Sequence, residues 1–282
     1  KIPMDEYRYE PGPDQQASMN SRPVTGGIKK EKVTKVSGEV SMGKVFLWLG
    51  IGLLITGAIA LSVPYVFAAV SDGFTKNIDS LSTAFVAMIV ISALLMLPSS
   101  IMMAFNVGSR KSGLMKAGYF IYVISMGFLV SSVLLTVYVS TFDPFGESTL
   151  LNPEFLSTVS SSFLVTAVCF LAMGIIGSFT KHMNAAIPVV ITGFAGVFVL
   201  SMINFFLGVE LIYWIIDFVC FALILLVTAI DMHNIRRIVD SSKGLQGNNL
   251  AIYCAYCLYV DFINIFLRVL YYVLLVSGKR KN

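Results

Sequence analysis

The sequence predicts an all-α membrane protein, a bundle of seven transmembrane helices. Three observations lead there. Of the 282 residues, 56% are hydrophobic and only 13% charged, against about 25% charged in a soluble domain. The mean hydropathy is +0.81. The apolar residues fall in seven runs long enough to cross a hydrocarbon layer about 30 Å thick, which needs roughly 20 helical residues.

The runs cover residues 45–70, 83–107, 114–141, 156–179, 185–208, 211–231 and 249–276. Polar and turn-forming stretches separate them: SDGFTKNIDS, NVGSRKSG, TFDPFGESTLLNPE, FTKHMN, LGVE and DMHNIRRIVDSSKGLQGNN. Lipid offers no hydrogen bonds, so each run must satisfy its own backbone as a helix. The alternation expected of barrel strands is absent. Residues 1–43 are polar, carry Pro and Gly (EPGPDQQ, SRPVTGG) and end in the basic patch IKKEKVTK. They read as a disordered N-terminal segment, ahead of a transmembrane domain over 44–278 and a short basic tail over 279–282. No signal-peptide pattern precedes the first run.

Orientation follows from bases in short loops. Lys29, Lys30, Lys32, Lys35 and Lys44 precede span 1, Arg110, Lys111 and Lys116 lie near the 2–3 loop, Lys181 in the 4–5 loop, and Arg236, Arg237 and Lys243 after span 6. The alternate loops hold Lys76 or the acids Asp143, Glu147 and Glu154. The N-terminus is therefore predicted to be cytoplasmic. Seven crossings would place the tail GKRKN outside, against its basic character. The plain loops and short tail suit a bacterial plasma membrane. No basic stripe interleaved with aromatics points to nucleic acid.

Cys169, Cys220, Cys254 and Cys257 all lie within apolar runs, which argues against an extracellular disulfide framework. The C-x-x-C of Cys254 and Cys257 has no second ligand pair nearby and reads as small apolar helix positions. Pro98, followed by Ser99 and Ser100, removes a hydrogen bond inside span 2 and is either ordinary membrane-helix variety or a hinge.

The informative residues are the charges inside the spans. Span 7 reads YCAYCLYVDFINIFLRVLYYVLL, with Asp261 near its middle. A central Asp costs about 2.5–3.5 kcal/mol on insertion scales, so it is expected to face the bundle interior. Asn264 and Arg268 follow on the same side. Asp261 can serve as an ion or proton site, or merely lock helices in a buried ion pair. Asp231 ends span 6 in VTAIDMHNIRRIVD. It can meet Asp261 only if span 6 continues as helix beyond the apolar run and span 7 also starts outside it; IRRIV permits that extension. A meeting of two like charges would make them share a proton, and when ionised they could hold a divalent cation. Otherwise Asp231 is a solvated terminal carboxylate. Asp217, in YWIIDFVCF, reads as a pore or mouth residue, or as interfacial. His182 reads as a solvated loop residue. His233 has the titration range for a pH role but lies on a different face from Asp231.

LYVDFINIFLRVL resembles the last-span signature of the Bax inhibitor-one family, the transmembrane Bax-inhibitor-motif proteins. AIDMHNIRRI is similar to that family's end-of-span-6 motif, and YVISMGFLVSSVL, with Gly127, to its third span. The resemblance covers about residues 45–276. It implies a seven-helix bundle with a central last helix and a pH-sensing Asp pair, matching Asp231 and Asp261, beside a calcium leak pathway. It also implies an Arg latch after span 2, best matched by Arg110. His233 and Asn234 depart from a Gln-containing run, span 4 carries no acid between Phe155 and Lys181, and the third span lacks a proline after its Gly.

Two functions follow as expectations. The first is a pH-sensitive calcium leak channel with Asp231 and Asp261 as sensor and transient calcium ligands, Arg110 as latch, and Asn264, Arg268 and Asp217 as pore or supporting polar groups. It needs no cofactor; calcium and protons are its cargo and the lipid bilayer its surroundings. The second is a non-transporting regulator that binds other membrane proteins, such as a membrane protease or a cell-death factor. An enzyme is not expected: the Gly-x-Gly-Asp signature of intramembrane aspartyl proteases is absent, and neither His lies well inside a span. A retinal sensor would need a Lys within span 7.

Overall fold

The computed structural model describes residues 41–70, 78–108, 112–141, 153–180, 183–241 and 247–279. The expectations for residues 1–40, Arg110, His182 and residues 280–282 lie outside the described residues. The described residues form seven α-helices: α1 Met42–Val70, α2 Ile78–Asn106, α3 Ser112–Thr141, α4 Pro153–Phe179, α5 Ile187–Leu207, α6 Glu210–Ser241 and α7 Gly247–Lys279. A short 3-10 turn, Met183–Ala186, leads into α5. All seven are long and apolar enough to cross a membrane. This is a multi-pass membrane protein built as a seven-helix bundle.

Local signals set the helix ends. Ser41 caps α1 by accepting from the Lys44 amide at 3.3 Å, as a hydroxyl before the first helical residue does. α4 starts on Pro153, whose fixed φ suits a first position and whose missing N–H is no loss there, and Glu154 follows in the positive first turn. α5 begins with Pro188 in its first turn and ends at Gly208, φ 64°. That left-handed conformation suits glycine and lets the Gly208 amide return to the Asn204 carbonyl at 2.7 Å. Only Val209 separates this cap from α6, whose first turn carries Glu210.

Pro98 lies within α2 and does not end it. The neighbouring Ser99 and Ser100 hydroxyls donate to the Met96 and Leu97 carbonyls at 2.9 and 2.8 Å, so their polar groups are satisfied within the helix.

α7 is the hub. It packs against α1, α2, α3, α4 and α6. In the apolar windows of α3 and α7, 61% of residues are buried; in α5 none are, which places α5 at the periphery on α6. Tyr119, Tyr259, Met103, Met115, Leu134, Ile252, Leu258, Ile265 and Leu270 fill the core. Phe105, Phe198, Phe205, Phe206 and Phe218 point outward, an apolar exterior that a bilayer covers.

Hydrogen bonds tie α7 and α3 to α1. The Thr56 hydroxyl donates to the Val123 carbonyl at 3.3 Å and lies 2.5 Å from Tyr259 Oη. With the one threonine proton committed, Tyr259 is the donor in that pair. Tyr119 Oη donates to the Trp48 carbonyl at 2.6 Å. Tyr119, Tyr122, Tyr256 and Tyr259 pack edge to face between α3 and α7.

α4 meets α6 at backbone distance. A Cβ on Gly177 would overlap the Ala229 carbonyl oxygen, whereas one on Gly196 of α5 would meet nothing within 4 Å. Gly177→Ala should therefore cost about 1–3 kcal/mol through the forced separation of the two helices. Gly196→Ala should be neutral or stabilising by up to ~1 kcal/mol. Thermal unfolding of both variants in detergent checks the contrast, and equal effects would deny the close α4–α6 approach.

Candidate functional site

α6 and α7 run antiparallel, and both extend beyond the apolar runs. α6 continues through IRRIV to Ser241, and α7 starts at Gly247. Asp231 lies about 15 Å below the end of α6 and Asp261 about 21 Å from the start of α7, at 1.5 Å per residue. The levels differ by about one helical turn. The extended part of α6 is held against the end of α4. His233 Nδ1 lies 3.2 Å from the Gly177 carbonyl, and Arg236 donates to the Ser178 carbonyl at 2.9 Å. The last carbonyls of a helix have no partner within it, and a basic side chain suits its negative end.

Asp231 is half-buried. Tyr253, Cys254, Cys257 and Asp261 of α7 lie within its electrostatic reach. Cys257 lies within electrostatic reach of both carboxylates. Asp261 is 6% exposed, and its Oδ2 is buried without a hydrogen-bond partner. The residue stands on the hub helix beside Phe262, which packs edge-on to Phe170 of α4. Among the described residues no cation pairs with Asp231 or Asp261. The four cysteines are free thiols. Among the described residues no three His, Cys, Asp or Glu side chains converge to hold a metal ion. Two carboxylates alone do not fill the six to eight oxygen positions of a calcium site.

The other polar residues gather further along the same two helices. Arg268 does not turn to Asp261: its guanidinium forms an ion pair with Asp217 of α6. It also donates to Cys220 Sγ at 3.3 Å, and Tyr272 Oη donates to the Asp217 carbonyl at 3.4 Å. The locking ion pair expected as an alternative for Asp261 thus belongs to Asp217. Asp217 is 6% exposed, Arg268 partly exposed. Both line a cavity of about 370 Å³ with Tyr213, Ile224, Asn264, Leu267 and Tyr271. Asn264 shares the side of Asp261 but is itself exposed.

The Tyr259–Thr56 and Tyr119–Trp48 hydrogen bonds escaped the sequence reading. The available signal was a buried hydroxyl within an apolar run, but threonine and tyrosine are common in membrane helices and carry no charge to draw notice.

Comparison with known proteins agrees with this architecture. The family model described as inhibitor of apoptosis-promoting Bax1 matches residues 39–278. An uncharacterised membrane protein of Streptococcus pyogenes serotype M3 is 34% identical over 115 residues, 40% of this chain and 50% of that protein; the chain thus spans about half the length of the streptococcal relatives it matches. The inner membrane protein YbhL of Escherichia coli K12 is 24% identical over 233 residues, covering 81% of this chain and 88% of that one. An uncharacterised protein of Borreliella burgdorferi is 28% identical over 249 residues, 86% and 92% of the two chains. No solved structure matches. A match running from just before α1 to the last turn of α7, over a bundle centred on that helix, makes this chain a member of the Bax inhibitor-1 family of membrane proteins.

Proposed function

We propose that the protein is a pH-sensitive calcium leak channel of a bacterial plasma membrane, with a cytoplasmic N-terminus and Asp231 and Asp261 as its proton-sharing sensor. The observation that carries this reading is the state of Asp261. Its carboxylate is buried on the central helix, one oxygen accepts no hydrogen bond, and its electrostatic neighbour is another carboxylate. Two such groups in a poorly polarisable interior are best satisfied by one shared proton. When that proton leaves, the pair carries surplus negative charge, which attracts a passing calcium ion or a basic side chain.

Arg110, which follows α2 in the sequence, supplies that side chain in this reading. Held by the ionised pair, it keeps the pathway closed at the cytoplasmic end. Protonation weakens the hold and the leak rises. Calcium is cargo here.

The test is calcium entry into liposomes containing the purified protein. The leak should rise as pH falls. Asp261→Asn should remove most of that response, leaving a change of under about twofold between roughly pH 6 and 8. No flux above empty liposomes at any pH would end the channel reading and favour the regulator that binds other membrane proteins. Arg110→Ala should raise the leak at neutral pH by about tenfold, as loss of one charged closing contact of about 1.4 kcal/mol would; an unchanged leak removes Arg110 from the mechanism.

A further inference from the structure

The cavity beside Arg268 lies between α6 and α7 at the end away from their connection. Along α7, Asp261, Asn264 and Arg268 share one side, spanning about 10 Å. Asp261 is buried, while Asn264, less than one turn on, is exposed in the cavity.

Its wall holds one positive and one negative group. Arg268 keeps 30% of its side chain exposed, so its charge reaches the cavity. Asp217 commits Oδ1 to Arg268, while its Oδ2 is buried with no hydrogen-bond partner. The geometry points to a charge-balanced vestibule for the cation path, in which Arg268 opposes cation entry and Asp217 neutralises that opposition. This rests on the channel reading above and adds the residues that set cation preference at the end of α6 and α7 away from their connection.

The physical argument is one of balance. Conduction needs a site that admits an ion without holding it. A lone guanidinium at this depth would repel a divalent cation twice as strongly as a monovalent one. A lone carboxylate with no partner would trap it. Paired, they leave a dipole and one idle carboxylate oxygen, which favours a cation weakly. The lining tyrosines Tyr213 and Tyr271 and the amide of Asn264 add polar groups that can replace part of a hydration shell.

Opposite signs make this testable by calcium leak into liposomes. Asp217→Asn should lower the leak by about tenfold or more, since it bares Arg268. Arg268→Gln should make the leak saturate at a calcium concentration about tenfold lower. The double variant Asp217→Asn/Arg268→Gln should recover most of the leak lost in Asp217→Asn. Equal effects of the two single changes, or none, would make the pair a structural clasp only and overturn the proposal.

A second measurement needs neither calcium nor an intact ion pair for its baseline. With Cys169, Cys220, Cys254 and Cys257 replaced by Ala, Asn264→Cys should react with membrane-impermeant thiol reagents. Asp217→Asn should shift the rate ratio toward an anionic reagent by about fivefold or more, and Arg268→Gln toward a cationic one. No reaction at Asn264→Cys would show the cavity sealed from water and overturn the vestibule, whatever the calcium result. Charge-dependent labelling in a protein that passes no calcium would instead sink the channel reading and with it the cation-path role, leaving a water-filled cavity whose potential the Asp217–Arg268 pair balances.

Discussion

A carboxylate buried on the hub helix is the constraint around which this bundle is arranged. Asp261 lies near the middle of α7, where exposure to hydrocarbon would cost about 2.5–3.5 kcal/mol. The bundle keeps the group out of lipid by enclosing it. α7 contacts α1, α2, α3, α4 and α6, and Ile252, Leu258, Ile265 and Leu270 of α7 are wholly buried. The hydrogen bond from Tyr259 to Thr56 and the tyrosine packing against α3 fix the helix in rotation as well as position. A rotation that exposed Asp261 to lipid would break those contacts.

The second constraint is the length of α6. Had it ended with its apolar run, Asp231 would be a terminal carboxylate at the edge of the bundle. Its polar continuation carries His233 and Arg236 to the closing carbonyls of α4. The same stretch therefore satisfies one helix end and sets the height of Asp231 against Cys254, Cys257 and Asp261. The close contact of Gly177 with Ala229 lies within the same region. Position of Asp231, the partners of the last α4 carbonyls and α4–α6 packing are thus one mechanical unit.

The number of helices and their approximate bounds were legible because hydrophobic length is a one-dimensional property. Their ends were less so. α2 begins at Ile78 and α6 reaches Ser241, since polar residues continue a helix once its apolar part is in place. Pro98 does not interrupt α2; the surrounding backbone remains helical and the adjacent serines bond to it. The charged residues of the site were visible for the reason that charge in an apolar run is rare. Their partners were not. Helical spacing put Arg268 on the side of Asp261, yet its long side chain reaches across to Asp217. Periodicity within one helix assigns a face and says nothing of which neighbour stands opposite. Asn264 shows the same limit: it shares that side but is exposed, because the cavity begins there.

The two buried carboxylates, Asp217 and Asp261, are equally shielded from the exterior at 6% exposure, but their electrostatic surroundings differ. Asp217 has a guanidinium against it. A buried ion pair of this kind is costly to break by removing one partner, because the other charge is left uncompensated. Asp261 has another acid as neighbour and no cation among the described residues. Counter-charge, and not depth, therefore distinguishes the surroundings of the two carboxylates. On the proposed reading this divides the labour along α7: the Asp217–Arg268 pair holds a constant potential, while Asp231 and Asp261 respond to protons. A protein needing a steady mouth and a variable gate could build both from aspartates by giving one of them a cationic partner, here Arg268, and the other none.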